Sequence, residues 1–307
     1  MNKEYIFFAK YNLTSLNIIS TIKYIYRKII NFLKKRMSKI RYPEKYQYLR
    51  QTDFITDRIK DDDISLDIDR YTYKDDDKID LEMILSTEIF HIHLYKDIFQ
   101  KQNFNDPEDY ESLHRFLWIR YYLSKEYINP IEINKIESLI IYWCKSSQNN
   151  DYRVKDKLIW EPYTVSERII NIIFFYNKIK KDMPIIIQSQ LDKMTNHVIK
   201  NLEFYNSSYG NHLINNFRGI LFYSITFENN KLINVFSDLM NIYLEDFIED
   251  GFTKDFSSHY QLLFYFWLYD LLELAKAKSQ RQLLILINKY IESLYERSIF
   301  FYSNKSK

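Results

Sequence analysis

The sequence is poor in the two residues that most often form turns. It contains three glycines and five prolines in 307 residues, whereas the two together average roughly 12% of a typical chain. Glycine adopts positive φ at low cost, so tight β-hairpins and glycine-rich phosphate-binding loops have few positions available here. The scarcity argues against nucleotide-binding folds and hairpin-rich β folds, and it favours long helices with polar connections.

Cysteine is also rare, and the net charge is small. A single cysteine, Cys144, excludes an internal disulfide and a cysteine-rich metal site. The 43 Lys and Arg residues are nearly balanced by 41 Asp and Glu residues, which gives a formal charge of +2. A dedicated nucleic-acid-binding protein normally carries a clear excess of positive charge. We therefore predict no nucleic-acid partner, no metal site and no cofactor.

Long apolar stretches are absent as well. The longest strongly apolar run, residues 262–269, is far shorter than the ~20 residues that span a bilayer. No transmembrane helix is predicted. The short apolar piece at residues 5–9 is flanked by Glu4 and Lys10 and has no small-residue cleavage site behind it, so no secretory signal is predicted. The cytoplasm is the expected location, with the periplasm and the cell surface left open.

Two segments of contrasting charge precede the main body. Residues 12–39 combine apolar positions at helical spacing with many Lys and Arg residues, which predicts a basic amphipathic helix within an N-terminal segment, 1–50. This helix either packs on the body or lies weakly on an anionic membrane surface. Residues 51–82 are rich in Asp and contain no glycine. This pattern predicts a solvated acidic loop and argues against a calcium-binding loop.

The remainder of the chain, residues 83–307, has the spacing of consecutive helices. Two helix starts are marked by a capping residue followed by proline, at Asp106-Pro107 and Asn129-Pro130. Helices are predicted over 83–100, 107–124, 130–146, 164–180, 185–205, 211–227, 230–248, 258–277 and 280–299. Connections between them are short, so neighbours should pack as antiparallel hairpins. We predict an all-α body without strands, forming a solenoid or a closed toroid.

Two of the three glycines bracket one predicted helix. Gly210 directly precedes Asn211 and His212, and Gly219 lies within the same helix. An amide and an imidazole beside the free N–H groups of a helix N-terminus are suited to hold a carboxylate. The alternative is structural, with Asn211 as an N-cap and His212 as a half-buried histidine. The spacing alone leaves both interpretations open.

The third glycine, Gly251, precedes the predicted helix 258–277. Ser257 or Ser258 is placed to cap that helix, which puts Tyr260 in its first turn. A positive helix end favours the phenolate form of a tyrosine, whose ordinary pKa is about 10. Because the chain has 28 tyrosines, a packing role for Tyr260 is the alternative.

Three runs of residues occur in a fixed order along the chain. The first is WEPYTVSERIIN from Trp160; the second joins LEFY from Leu202 to GNHL from Gly210; the third is DGFTKDFSSHYQ from Asp250. Together they resemble the N-terminal α-helical domain of the heparinase II/III-like polysaccharide lyases, over residues 85–275. Three ordered motifs make a specific resemblance, although each alone is weak.

The resemblance implies an incomplete (α/α) toroid that binds a polysaccharide containing uronic acid and cleaves it by β-elimination. By matched position, Asn211 would bind the uronate carboxylate, and His212 would act as a base or neutralise that carboxylate. Tyr260 would take the C5 proton or protonate the leaving oxygen. The substrate-binding residues implied by the same match, which pair with acid groups or stack on sugar rings, are Arg115, Trp160, Tyr163 and Arg168.

The chain departs from the family pattern at several points. Gln261 stands where the family has His, and Asp255 stands where it has Glu. Family members continue into a β-sandwich domain that closes the cleft, and we expect that domain to be missing from this chain or to be encoded separately. Alternatives to a lyase are therefore a catalytically inactive glycan-binding toroid and a helical scaffold in surface-polysaccharide metabolism. Enzymatic activity stays open at this point.

Overall fold

The structure, a computed structural model, describes most of the chain after residue 103. The described residues are 48–51, 54–55, 78–86, 89–94, 99, 104–148, 156–204, 210–254 and 257–303. The predicted basic helix of residues 12–39 lies outside them, and so does the acidic stretch 61–77. The proposed division of the chain at residues 50 and 82 therefore stays a prediction.

An antiparallel hairpin precedes the helical body. Its strands are β1 (Lys78–Ile84) and β2 (Ile89–Leu94). In β1, Ile79, Leu81 and Met83 are buried and alternate with more exposed residues. The predicted helix over 83–100 is wrong here, and so is the prediction that the body has no strand. An apolar residue at every second position favours a strand. The predicted helix begins at residue 83, which is inside the alternating segment 78–84, so that prediction does not treat the alternation as one strand.

Helices form nearly all the rest of the described chain. They are α1 (Tyr48–Gln51), α2 (Pro107–His114), α3 (Ile119–Leu123), α4 (Pro130–Gln148), α5 (Pro162–Ile179), α6 (Ile185–Lys200), α7 (Asn211–Thr226), α8 (Asn230–Phe247), α9 (Ser258–Ala277) and α10 (Arg281–Ser303). A 3-10 turn, Leu158–Trp160, precedes α5, and the short strands β3 (Ile248–Glu249) and β4 (Phe252–Thr253) pair between α8 and α9. The prediction of an all-α fold is confirmed for the body. None of the described helices is long and apolar enough to cross a membrane.

One predicted helix is divided in two. The segment 107–124 forms α2 and α3 because Phe116, between them, adopts a φ of 57°, a left-handed conformation that an α-helix does not continue through. The predicted helix 185–205 ends earlier, at Lys200. From α4 onward the remaining predicted helices are present with small shifts at their ends.

The helices from α5 onward form an inner row and an outer row. In the inner row, α5 packs against α7 and α7 packs against α9; in the outer row, α6, α8 and α10 each pack against the preceding inner helix. Residues 227–229 and 278–280 are short connections, so the helices they join run antiparallel. Every residue from Leu213 to Ile225 of α7 is buried. A helix that is buried all round lies at the centre of its fold.

Two glycines let neighbouring elements approach α7 closely. A Cβ atom at Gly219 would lie 2.7 Å from the Cβ of Ser166 in α5, so the absence of a side chain sets the distance between the two inner helices. A Cβ at Gly210 would lie 1.8 Å from a ring carbon of Phe247, the last residue of α8. The start of α7 is therefore packed directly against an aromatic ring.

Candidate functional site

The start of α7 carries Asn211 and His212. Asn211 is the first residue of the helix, with Gly210 at the N-cap, and its side-chain carbonyl accepts a hydrogen bond from the backbone N–H of His212 at 2.9 Å. The Asn211 side chain is buried, and its NH2 group has no hydrogen-bond partner among the described residues. An amide donor without a partner, beside the free N–H groups of a helix N-terminus, is suited to bind a carboxylate.

His212 is held by Glu203, which lies in the segment after α6. His212 Nδ1 is 2.8 Å from Glu203 Oε1. On its other side Glu203 is fixed by Asn216: the Asn216 Nδ2 group donates to Glu203 Oε2 at 3.1 Å, and Asn216 Oδ1 accepts from the Glu203 backbone N–H at 3.1 Å. Glu203 and Asn216 are both buried. The imidazole is therefore positioned by a buried carboxylate that is itself anchored to α7.

The ring of Tyr163 connects His212 to the surrounding helices. Tyr163 lies in the first turn of α5, and its ring centroid is 4.8 Å from that of His212 and 6.3 Å from that of Trp267 in α9. The Arg115 guanidinium lies 5.0 Å from the same centroid. Burial, reinforced by the charge of Glu167, raises the pKa of Tyr163, so its phenol stays neutral. Of the predicted substrate-binding residues, Tyr163 is the one that contacts His212.

The charge of Arg115 is already paired within the protein. Its guanidinium forms ion pairs with Glu108 and Glu111, and its Nε donates to Thr164 Oγ1 at 3.2 Å. Burial raises the pKa of Glu111, and the charge of Arg115 opposes this rise. The resemblance implies that Arg115 pairs with acid groups of a glycan, whereas in the structure two protein carboxylates pair with it.

Carboxylates outnumber cations around His212. Glu161, the residue before α5, joins Glu203 and His212 in a group whose ligand-type atoms all lie within 4.8 Å of one another. Burial and the charge of Glu203 raise the pKa of Glu161. Such a group has the composition to hold a metal ion. Nδ1 of His212 and Oε1 of Glu203 already face each other in a hydrogen bond of 2.8 Å, so these two groups pair with each other and Glu161 is a neighbouring carboxylate.

A buried network of ion pairs joins the inner helices. Arg218 in α7 donates to Glu167 of α5 and to Asp270 of α9, each at 2.8 Å. The second Glu167 oxygen accepts from Arg120 in α3 at 3.0 Å. Burial acts to raise the pKa of Glu167, but the charges of Arg218 and Arg120 outweigh it and lower that pKa. The network fixes the three inner helices that carry the candidate site.

Arg168 and Trp160 pack into the core. Arg168 is fully buried; its Nη2 donates to the carbonyl of Ile159 at 2.6 Å, and its guanidinium lies 4.2 Å from the ring centroid of Trp143. Burial lowers the pKa of Arg168 to about 9. Trp160 is half-buried, with its ring centroid 6.0 Å from that of Trp143. A side chain with the surroundings of Arg168 braces the fold, which favours a structural role for it over the glycan-binding role that the resemblance implies.

Tyr260 lies in the first turn of α9, as the sequence predicts. The Ser257 hydroxyl caps this helix and accepts from the Tyr260 backbone N–H at 3.5 Å. The Tyr260 side chain is half-buried, and within the described part of the chain its hydroxyl forms no hydrogen bond. Its ring contacts that of His259, with centroids 5.4 Å apart. No described residue therefore occupies the phenol hydroxyl.

The contacts of the described residues link Tyr260 to the start of α7 through intermediate residues. Trp267 follows Tyr260 by seven residues and shares its helix face, and Trp267 contacts Tyr163. Among the described residues, Tyr260 forms no hydrogen bond or ring contact with Asn211 or His212. The structure therefore brings Asn211, His212 and Tyr163 together directly. The convergence of Tyr260 on them stays a prediction.

Gln261, where the resembled family has His, is fully engaged in the fold. Its Nε2 donates to the carbonyls of Gly251 at 2.7 Å and Leu294 at 3.3 Å, and its Oε1 accepts from the Thr253 backbone N–H at 3.0 Å. These bonds hold the turn between β3 and β4 against α9 and α10. Asp255, the other departure from the pattern in this loop, lies outside the described residues.

Comparisons with known proteins identify a shared fold. No protein-family model matches the chain, and no curated protein matches its sequence. A crystal structure of heparan sulfate lyase HepC from Pedobacter heparinus matches with a TM-score of 0.55 and 15% identity, over 89% of this chain and 43% of that one. A structure of a mutant of the same lyase matches with a TM-score of 0.50 and 15% identity, over 87% and 43% of the two chains.

At this identity the similarity establishes the fold alone. The chain has a heparinase-like (α/α) toroid fold, which confirms the fold that the three ordered motifs imply. It spans less than half the length of the lyase chains that it matches.

Proposed function

We propose that the chain is a polysaccharide lyase-like domain that binds a polysaccharide containing uronic acid for β-elimination. The observation that carries this proposal is the arrangement at the start of α7. There the NH2 group of the buried Asn211 side chain has no partner among the described residues and lies beside an imidazole bonded to Glu203. The fold shared with a heparan sulfate lyase supports the same proposal.

The proposed chemistry follows from the groups at this site. In β-elimination, a base removes the C5 proton, the electron pair forms the C4–C5 double bond, and the glycosidic C4–O bond breaks while its oxygen gains a proton. Negative charge develops on the uronate carboxylate in the transition state. In this proposal the Asn211 amide and His212 stabilise that charge, and the Tyr260 hydroxyl takes or supplies the proton.

A second candidate function is glycan binding without cleavage. It is favoured by Gln261, whose side chain is committed to the turn and to α10 where the resembled lyases have a histidine. The proposed partners are an acidic polysaccharide and, for the active form, a separately encoded β-sandwich chain. Such a chain would cover the site and exclude water, which strengthens electrostatic stabilisation.

The test is to incubate the purified full chain with heparan sulfate, chondroitin sulfate and alginate and to follow the ultraviolet absorbance of the unsaturated uronide product. We expect product with at least one polymer. Tyr260→Phe should lower its rate by about 10²-fold or more, because it removes a proton-transfer group. Tyr269→Phe changes an exposed tyrosine on the same helix and should leave the rate unchanged.

Binding is measured in parallel by calorimetry with the same polymers. Asn211→Ala should weaken binding, whereas Asn230→Ala, at an exposed position of α8, should not. If the unaltered chain binds a polymer but forms no product from it, and Tyr260→Phe binds the same polymer equally well, glycan binding without cleavage is selected. If no polymer binds and none is cleaved, both functions are wrong.

A further inference from the structure

The hydrogen bond between Glu203 and His212 has a consequence for what the imidazole can do. Glu203 is 3% exposed, and each of its side-chain oxygens has a partner, His212 on one and Asn216 on the other. A carboxylate accepts hydrogen bonds, so its neighbour Nδ1 must carry a proton. The bond therefore fixes one nitrogen of His212 as a donor, whatever the charge of the ring.

Several groups from different elements surround the imidazole and act on its charge. They are Glu203 after α6, Glu161 before α5, Tyr163 in α5, and Arg115 and Glu111 near the end of α2. Burial and the charge of Arg115 disfavour the imidazolium form. The hydrogen bond and charge of Glu203 and the charge of Glu161 favour it, and they outweigh the opposing effects, so that the pKa of His212 lies above its ordinary value.

We propose that Glu203 is a positioning residue that keeps His212 as an imidazolium, so that His212 binds the uronate carboxylate and does not accept the C5 proton. An imidazolium has no lone pair and offers two N–H donors. With Nδ1–H directed at Glu203, Nε2–H is the donor left for an anionic ligand. This assignment rests on the proposed function, and it leaves proton abstraction to another group, for which Tyr260 is the candidate.

Asn216 holds the Glu203 carboxylate in its position beside His212. Its amide donates to one Glu203 oxygen while its carbonyl accepts from the Glu203 backbone, so the carboxylate is bonded at both its side chain and its main chain. Asn216 lies four residues after His212 and therefore on the same side of α7. The imidazole and the residue that anchors Glu203 thus both belong to α7, which keeps the two groups in register.

The proposal is tested first on the protein without any ligand. Nitrogen-15 NMR of the histidine-labelled full chain measures the proton state of both His212 nitrogens as the pH is raised. We expect His212 to titrate above its ordinary pKa of about 6.5. Once neutral, it should keep its proton on Nδ1. Titration at or below the ordinary value, or a neutral ring protonated on Nε2, would overturn the proposal.

Variants assign the effect to Glu203. Glu203→Gln should lower the proton affinity of His212 by about tenfold or more, one pKa unit. Glu161→Gln removes a nearby carboxylate that forms no hydrogen bond with the ring and should have a smaller effect; Glu292→Gln, at an exposed site on α10, should have none. An effect of Glu161→Gln equal to that of Glu203→Gln would contradict the proposal. If Glu203→Gln does not fold, the His212 tautomer measured by NMR in the unaltered protein still tests the proposal.

A binding measurement connects the result to the ligand. Calorimetry with uronic-acid oligosaccharides cut from heparan sulfate is run at pH values on both sides of the measured His212 transition. We expect affinity to fall about tenfold once His212 loses its charge, and Glu203→Gln should move this fall to lower pH. Affinity that is independent of the transition would overturn the carboxylate-binding role. If no oligosaccharide binds, the proposed function fails, whereas the charge state of His212 is still settled by NMR.

Discussion

Arg168 is a charged residue held entirely inside the protein. Its guanidinium donates to backbone carbonyls, including that of Ile159, and lies over the ring of Trp143. Removing a cation from water is costly, which is why burial lowers its pKa to about 9. The hydrogen bonds and the aromatic face offset part of this cost. The residue joins the 3-10 turn, α5 and the end of α2.

Arg168→Ala is expected to destabilise the fold by about 2–5 kcal/mol, since it leaves a cavity and unsatisfied carbonyls. The measurement is the urea dependence of far-ultraviolet circular dichroism. Arg281→Ala, at an exposed position at the start of α10, serves as the matched control and should be nearly neutral. A fully stable Arg168→Ala protein that has lost only glycan binding would show that Arg168 is a ligand-binding residue.

The residues of the site could be predicted only in part from the sequence. Asn211 and His212 stand out because they follow a rare glycine at a helix start. Glu111 and Arg115 have the i, i+4 spacing of a helical ion pair, so their pairing was open to prediction. Glu203 stands in the LEFY run, but it has no spacing signal of this kind, because it precedes His212 by nine residues and lies outside the helix. Long-range contacts of this kind are set by packing.

At the scale of elements, the contact between α5 and α7 is set by the absence of one side chain. A Cβ at Gly219 would lie 2.7 Å from the Cβ and 2.9 Å from the Cα of Ser166. Distances this short require one helix to move. The ion pair between Arg218 and Glu167 lies beside this contact, at the adjoining positions of the same two helices.

Gly219→Ala is expected to destabilise the protein by about 1–3 kcal/mol, because overpacking shifts the two helices apart. This outcome is opposite to that of an ordinary helical glycine, where alanine is stabilising. Combining it with Ser166→Gly removes one of the two clashing atoms, so the double variant should lose less stability than the sum of the single changes. Thermal unfolding of the four proteins measures this coupling, and strict additivity would contradict the close approach.

The elements themselves differ in how far their sequences specify them. Helices α4 to α10 carry long apolar stripes and capping signals, and these features predict their positions well. The β1–β2 hairpin carries only a short alternation, which begins inside a strongly acidic segment. The division between α2 and α3 depends on one residue, Phe116, in a conformation with positive φ. A positive φ at a single residue depends on the packing around it, so the local sequence does not predict it.

For the whole molecule, two ionisable groups, the buried Glu167 and the half-buried His212, act on stability from opposite sides of the pH scale. The pKa of Glu167 is lowered in the fold, so its contribution is present above its ordinary value, 4.5, and is lost as the pH falls through the folded value. The pKa of His212 is raised, so its contribution is present below 6.5 and is lost as the pH rises through the folded value.

We therefore expect the free energy of unfolding to be greatest between these limits. Urea unfolding across the pH range measures it. His212→Gln should flatten the decline on the alkaline side, whereas His259→Gln, at an exposed histidine, should not. Glu167→Gln should flatten the acid side and lower stability overall by about 3–5 kcal/mol, since it removes the carboxylate that pairs with the buried Arg218 and with the half-buried Arg120. An unchanged alkaline decline in His212→Gln would contradict the raised pKa.

The architecture of the whole molecule was more predictable than its function. Helix count, order and short connections specify an all-α body, and three ordered motifs indicate the toroid that the structural comparison confirms. Enzymatic activity depends on the relative positions of a few side chains. The fold does not determine those positions, because proteins of one architecture carry out different reactions.

The Phe247 ring occupies the space that a side chain at position 210 would fill, and it stacks on Phe264 with centroids 4.7 Å apart. Gly210 begins the helix of Asn211, and Phe264 lies one turn after Tyr260. A single benzene ring thus acts as the spacer between the two helix starts that the proposed chemistry needs. A smaller residue at position 247 should alter the spacing between these two helix starts without changing Asn211, His212 or Tyr260 themselves.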